Sequence, residues 1–200
     1  MSLHVAIRSK RFGETHILRD LVFQVAPGEV LAVLGPSGVG KSTLLRLIAG
    51  LDTDYVGQIR RTGRLAMVFQ EPVLMPWRSA RDNLRLTTGV SADQAEAALA
   101  RVGLSGKGGL FPGQLSLGQQ RRLSLARAYA ARPDILLLDE PFVSLDPALV
   151  EDMLALTESV IAEQRPATVF VTHAQAEADR LATRQMKLQA PAQAVTAQGA

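Results

Sequence analysis

Residues 35–42 read Gly-Pro-Ser-Gly-Val-Gly-Lys-Ser, a G-x-x-x-x-G-K-[ST] run set between a hydrophobic stretch, Glu29 to Leu34, and a helical one, Lys41 to Ala49. A glycine-rich loop joining a strand to a helix in this way lets bare backbone N–H groups curl around a polyphosphate. Gly35, Pro36, Ser37, Gly38, Val39, Gly40, Lys41, Ser42 and Thr43 therefore form the candidate phosphate cradle. Gly35, Gly38 and Gly40 suit a loop that must approach its ligand closely in conformations a Cβ resists. Lys41 is expected to reach the terminal phosphates, Ser42 to offer its hydroxyl to Mg²⁺, and the following helix to aim its N-terminal dipole at the negative charge.

A second group of residues narrows the chemistry. Leu115-Ser-Leu-Gly-Gln119 is followed by Ile135-Leu-Leu-Leu-Asp139-Glu140, an apolar run ending in two acids. Asp139 closes that run at its C-terminal end, where open α/β sheets bind ligands, and can hold Mg²⁺ through water. Glu140 is the candidate to orient and polarise an attacking water. In phosphoryl transfer the protein chiefly positions groups and stabilises charge, a task that Gln70 and His173 suit if they lie near a terminal phosphate.

These motifs, in this order, resemble the ATP-binding cassette (ABC) ATPases, from about residue 3 to residue 185. The resemblance implies ATP and Mg²⁺ as ligands and a P-loop NTPase core. It makes Phe12 the ring that stacks on adenine, and Gln70 a Q-loop glutamine that also contacts the metal. By the same likeness Ser144-Leu145-Asp146 is a D-loop and His173 a switch histidine. It makes Ser116, Gly118 and Gln119 a signature that covers the nucleotide of a second subunit, in a head-to-tail homodimer, or paired ATPase subunits, closed around two ATP. Leu117 and Ala174 depart from the family, which more often has Gly and Asp there.

Composition bounds the partners. The chain has 200 residues, 47% of them hydrophobic, enough for one core and a single domain. It has no Cys, so disulfides and thiolate metal sites are excluded. No apolar run of about 18 residues occurs, and the N-terminus lacks a signal-peptide pattern, so any membrane role is expected through a partner chain. A net charge of +3 and 4% aromatic residues give neither a basic stripe nor stacked rings, and no nucleic-acid partner is expected.

Strands are expected at Leu3 to Ile7, Leu21 to Val25, Glu29 to Leu34, Leu65 to Phe69, Ile135 to Leu138 and Ala167 to Val171. Capping boxes are expected at Ser79-Ala-Arg-Asp82 and Ser91-Ala-Asp-Gln94, and Asp146-Pro147 opens a long helix with Val150, Met153, Leu154, Thr157 and Ile161 inward. The fold class is α/β, with a mostly parallel sheet, N-terminal antiparallel strands and an inserted helical subdomain. Residues 1–75 and 133–189 make the nucleotide-binding core, 76–132 the helical signature subdomain and 190–200 a tail, frayed or a surface extension.

Glu71-Pro-Val-Leu-Met-Pro-Trp77-Arg follows Gln70, where the family's ATPases receive a membrane subunit, and its Leu-x-Pro-Trp pattern resembles the nitrate, sulfonate and taurine importers. The resemblance implies a transmembrane permease partner, a separate solute-binding protein and a place on the cytoplasmic face of the cell membrane. The sequence ends about where a regulatory domain would begin, so none is expected. Two other readings remain open at this level: a soluble ABC ATPase acting on nucleic acid or ribosomes, and a weakly active regulatory module.

Overall fold

The computed structural model describes residues 2–143 and 145–189; Ser144 and the tail from residue 190 lie outside the described residues. β1 (Leu3–Phe12), β2 (Thr15–Val25) and β4 (Val56–Arg61) form an antiparallel sheet in the order β2-β1-β4. The larger sheet is built from β3 (Val30–Leu34), β5 (Leu65–Val68), β6 (Ile135–Asp139), β7 (Ala167–Val171) and β8 (Arg184–Lys187). Its order is β5-β6-β7-β3-β8, and every neighbouring pair is parallel.

β3, β6 and β7 are buried along their whole length, which is why their sequences run apolar without alternation. Period two sorts their side chains nonetheless. Leu31, Val33, Ile135, Leu137, Val169 and Val171 pack toward the antiparallel sheet and α1 (Lys41–Ala49). Ala32, Leu34, Leu136, Leu138 and Phe170 pack on the other face, against α4 (Leu117–Ala130), α5 (Pro147–Gln164) and α6 (Gln175–Leu181). A third cluster joins α2 (Ala80–Thr88), α3 (Ala92–Arg101) and α4 around Leu84, Leu99 and Leu123. Ser91 and Gln94 cap α3 reciprocally, whereas at α2 only Ser79 acts, accepting from the Asp82 N–H.

Four strands differ from the sequence reading, each for a visible reason. β1 and β2 run longer than expected and meet at Gly13-Glu14, because Lys10 occupies an inward position that breaks the apolar alternation. Its ammonium is buried and satisfied by Asp52 at 2.8 Å and the Asp54 carbonyl at 2.7 Å. β4 was not expected: Val-Gly-Gln-Ile-Arg-Arg is exposed except at Ile59 and is held by its ladder to β1. β8, also unexpected, is four residues at the sheet edge, registered on β3 through Leu31↔Arg184. At the margins, β3 starts at Val30 rather than Glu29 and β5 ends at Val68, before Phe69.

α4 faces two clusters at once, Leu125 and Tyr129 toward the central sheet and Leu123 and Ala126 toward α2 and α3. Its link to α5 is the buried Tyr129 hydroxyl, 2.6 Å from Thr157 Oγ1. The Thr157 proton goes to the Met153 carbonyl at 2.7 Å, so Tyr129 is the donor to Thr157. Burial pushes the Tyr129 hydroxyl pKa well above its ordinary value, and it stays a neutral donor. Thr157→Val removes the acceptor and strands a buried hydroxyl; Tyr129→Phe removes a donor and leaves Thr157 bonded to Met153. The first is expected to cost about 2 kcal/mol and the second about 1 kcal/mol in urea unfolding.

Candidate active site

The C-terminal ends of the parallel strands deliver the candidate residues to one edge of the sheet, the edge where open α/β sheets bind ligands. β3 leads into the glycine loop, β5 into Gln70, β6 into Asp139 and Glu140, and β7 into Thr172 and His173. Gly40 adopts φ 106°, and a Cβ there would come within 2.7 Å of Ile17 Cγ2, so the loop turns into α1 only as glycine. α1 has no side-chain cap and no acid in its first turn, whereas α2, α3, α4 and α5 are each capped by Ser79, Ser91, Ser116 and Asp146. Its N-terminal N–H groups are thus free of a side-chain acceptor and face the loop.

Lys41 is buried, its ammonium folded back to donate to the Gly35 carbonyl at 2.9 Å and the Pro36 carbonyl at 3.0 Å. Glu140 Oε1 lies 3.7 Å from that ammonium, and Glu140 Oε2 lies 3.4 Å from His173 Nδ1. Glu140 has a left-handed backbone, φ 46°, unusual for a residue with a Cβ. Its N–H donates to the Val171 carbonyl at 2.9 Å, which fixes it to the end of β7. Ser42 donates to Asp139 Oδ1 at 3.0 Å. Burial pushes the Asp139 carboxyl above its ordinary range and neighbouring Glu140 adds to this, while the Ser42 hydroxyl pulls the other way.

A cavity of about 420 Å³ opens here, lined by Ser37, Gly38, Gly40, Lys41, Ser42 and Thr43 of the loop, with Phe12, Ile17, Gln70 and Glu140. Phe12 is 55% exposed at the end of β1, not in the core, with the Lys10 ammonium 4.7 Å from its ring centroid. Pro36, Val39, Asp139 and His173 do not line this space, and Val39 instead packs into the core. Ile17 carried no sequence signal, being one apolar residue on a strand.

Ser116, Gly118 and Gln119 stand apart from this cavity. Ser116 and Gln119 form a capping box at α4: Ser116 Oγ accepts from the Gln119 N–H at 3.3 Å, and Gln119 Oε1 from the Ser116 N–H at 3.0 Å. The Ser-x-x-Gln spacing was the available signal for that box. Leu117 is 52% exposed at the same turn. Beside Gln70, Trp77 is 69% exposed and Val73 55%. Their loop is pinned by the buried Asn83, which accepts from the Met75 N–H at 2.8 Å and donates to the Met75 carbonyl at 3.1 Å.

The donor set fits a nucleotide with Mg²⁺. An uncapped helix start and a buried ammonium that, among the described residues, is held by loop carbonyls and Glu140 suit a polyphosphate. Among the described residues no cluster of three His, Cys, Asp or Glu could cage a metal. One hydroxyl and one carboxylate, Ser42 and Asp139, suit a cation that keeps waters and shares phosphate oxygens.

Comparison with known proteins agrees with this geometry. The ABC transporter family model matches residues 18–143. The chain belongs to that ABC transporter family. It is 45% identical over 184 residues to the aliphatic sulfonates import ATP-binding protein SsuB 1 of Rhodococcus jostii, covering 89% of this chain and 75% of that protein. It is 43% identical to SsuB 1 of Agrobacterium fabrum, covering 88% of this chain and 67% of that one. Among solved structures, the dimeric ATP-binding cassette MJ0796 bound to ADP and Pi matches with a TM-score of 0.84 at 28% identity, covering 94% of both chains. An ATP binding subunit of an ABC transporter matches with a TM-score of 0.85 at 26% identity, covering 94% of this chain and 86% of that one.

The buried Asp139 carboxylate of this ABC cassette has a stability consequence. Its folded pKa lies above the unfolded value, so its contribution to stability is full below the ordinary carboxylate range and is lost as pH rises through the raised value. Asp139→Asn is therefore expected to raise the melting temperature of the nucleotide-free chain at pH 7, with the gap closing at a pH below the ordinary carboxylate value. Thermal melts of both chains across that range check it.

Proposed function

We propose that this chain is the ATP-hydrolysing subunit of an importer, driving a solute through a separate membrane permease. One observation carries the reading: the glycine loop, Asp139 and Glu140 converge on one sheet edge, while Ser116, Gly118 and Gln119 stand outside that cavity at the start of α4. A site so divided is completed by a second copy, which accords with the dimeric cassette among its structural relatives.

Within that reading the backbone of residues 35–43 and the α1 dipole hold the phosphates, and Lys41 leaves its loop carbonyls to face the terminal ones. Mg²⁺, held by Ser42 and Asp139 and reached by Gln70, would neutralise charge on the phosphate oxygens. Glu140 orients and polarises water, His173 holds Glu140 and the terminal phosphate side in register, and Phe12 offers its exposed ring to adenine. Ser116, Gly118 and Gln119 contact the nucleotide held by the partner copy.

Among the described residues no helix is long and apolar enough to cross a membrane. In this reading the solute passes through a separate permease chain. The exposed Trp77, on a loop pinned by Asn83 next to Gln70, suits a groove that receives it. The relatives named for aliphatic sulfonate import support small organic sulfonates as the solute class, delivered by a separate solute-binding protein, with this chain on the cytoplasmic face of the membrane. No feature favours a nucleic-acid or ribosomal partner.

The test is complementation between chains. Lys41→Ala alone and Ser116→Arg alone should each turn over little ATP as homodimers. A mixture with Lys41→Ala in excess should recover hydrolysis, because one composite site joins the intact loop of one chain to the intact Ser116 of the other. A mixed dimer that forms and stays inactive, while a dimer with one wild-type chain turns over, contradicts the divided site.

A further inference from the structure

Among the described residues His173 has no hydrogen bond that fixes its own ring apart from its approach to Glu140, and its side chain is 59% exposed. Its position must come from the backbone of the turn that carries it. That turn enters α6 at Ala174, which is the N-cap residue and has no side chain able to cap the helix. A polar side chain at an N-cap ordinarily takes up a free N–H of the first turn, and losing it destabilises the helix start.

Two other residues close the turn. Thr172 Oγ1 accepts from the Ala174 N–H at 3.0 Å, and the same hydroxyl donates to Glu177 Oε2 at 2.6 Å. Thr172 is 1% exposed and its N–H reaches toward the Val33 carbonyl, so the hydroxyl sits on a rigid strand end. The Thr172 proton is directed to the carboxylate, which orients its lone pair toward the Ala174 N–H. The links are continuous: Glu177 accepts from Thr172, Thr172 accepts from the Ala174 N–H, and His173 lies between those two residues in the chain. Glu140 hangs from the residue just before, through the Val171 carbonyl. Burial pushes the Glu177 carboxyl above its ordinary range, and its one hydrogen bond among the described residues is the one Thr172 gives.

We propose that Glu177, acting through Thr172, is a positioning residue that sets His173 against Glu140, in place of the side-chain cap that Ala174 cannot supply. The proposal rests on the ATPase reading for its kinetic consequence, but the clamp itself is measurable without nucleotide.

Two readouts on the full chain test it. Glu177→Ala and Thr172→Val should each lower kcat for ATP about tenfold, the low end of the loss from an outer-shell partner, with nucleotide affinity changed less than about twofold. Thr172→Ser, which keeps the hydroxyl, should recover most of the rate lost in Thr172→Val. Adding Ala174→Asp to Glu177→Ala supplies a cap on the helix itself and should restore kcat to within about threefold of wild type. Without nucleotide, hydrogen exchange at the Ala174 amide should quicken in Glu177→Ala while Val171 stays protected. Unchanged Ala174 exchange, or a kcat loss that neither Ala174→Asp nor Thr172→Ser relieves, overturns the clamp. Ala174 exchange that responds in a chain whose wild type turns over no ATP upholds the clamp and sinks the hydrolysis reading instead.

Discussion

The hydrogen bond from the Glu140 N–H to the Val171 carbonyl, 2.9 Å long, joins the ends of β6 and β7 and holds Glu140 in a left-handed conformation. Such a backbone costs of the order of 1–3 kcal/mol for a residue with a Cβ and persists only where its surroundings over-determine it. Here the surroundings are strands buried on both faces, ending side by side in strict parallel register from Leu138↔Phe170 to Asp139↔Val171. The fold thus holds a carboxylate, carried on a strained backbone, between the Lys41 ammonium and the His173 ring. Asp139 next to it is buried against its own charge. A sheet edge that concentrates strain and desolvated charge in this way is less stable than it need be, and a bound polyphosphate with its cation would relieve much of that cost.

Much of this was legible in the sequence because the signals were local. The glycine loop, the apolar run into Asp139 and Glu140, and the helical run Lys41 to Ala49 are each marked by consecutive residues, and each sits where the pattern put it. What escaped was set by partners distant in the chain. Lys10 is a charge in an inward strand position, intelligible only with Asp52 and Asp54 beside it. β4 and β8 carry almost no apolar pattern, since their pairing to β1 and β3 comes from backbone ladders. The left-handed Glu140 and the Thr172–Glu177 bond leave no mark on residue type at all. The Asn83 lock on the Met75 backbone could have been suspected only from an Asn on the inward face of a helix.

Under the proposed function, the separation of the two candidate halves of the site supplies a switch. Lys41 in this structure bonds to its own loop carbonyls, and Ser116 and Gln119 bond to each other, so both halves are satisfied internally. A ligand that gives each half a better partner biases the chain toward association, and removal of that ligand returns both to their internal bonds. The small, polar start of α4 and its exposed Leu117 stay open for such a contact, while Tyr129 ties the same helix back to α5. Closing of such an interface would reach both the helical unit and the central sheet through this one element.

Sedimentation of the Glu140→Gln chain with and without Mg-ATP tests this account most directly, since hydrolysis is blocked while every phosphate contact is kept. The account predicts a monomer without nucleotide and a dimer with it. A chain that binds ATP, as read by a fluorescent analogue, yet sediments as a monomer in both conditions would contradict it.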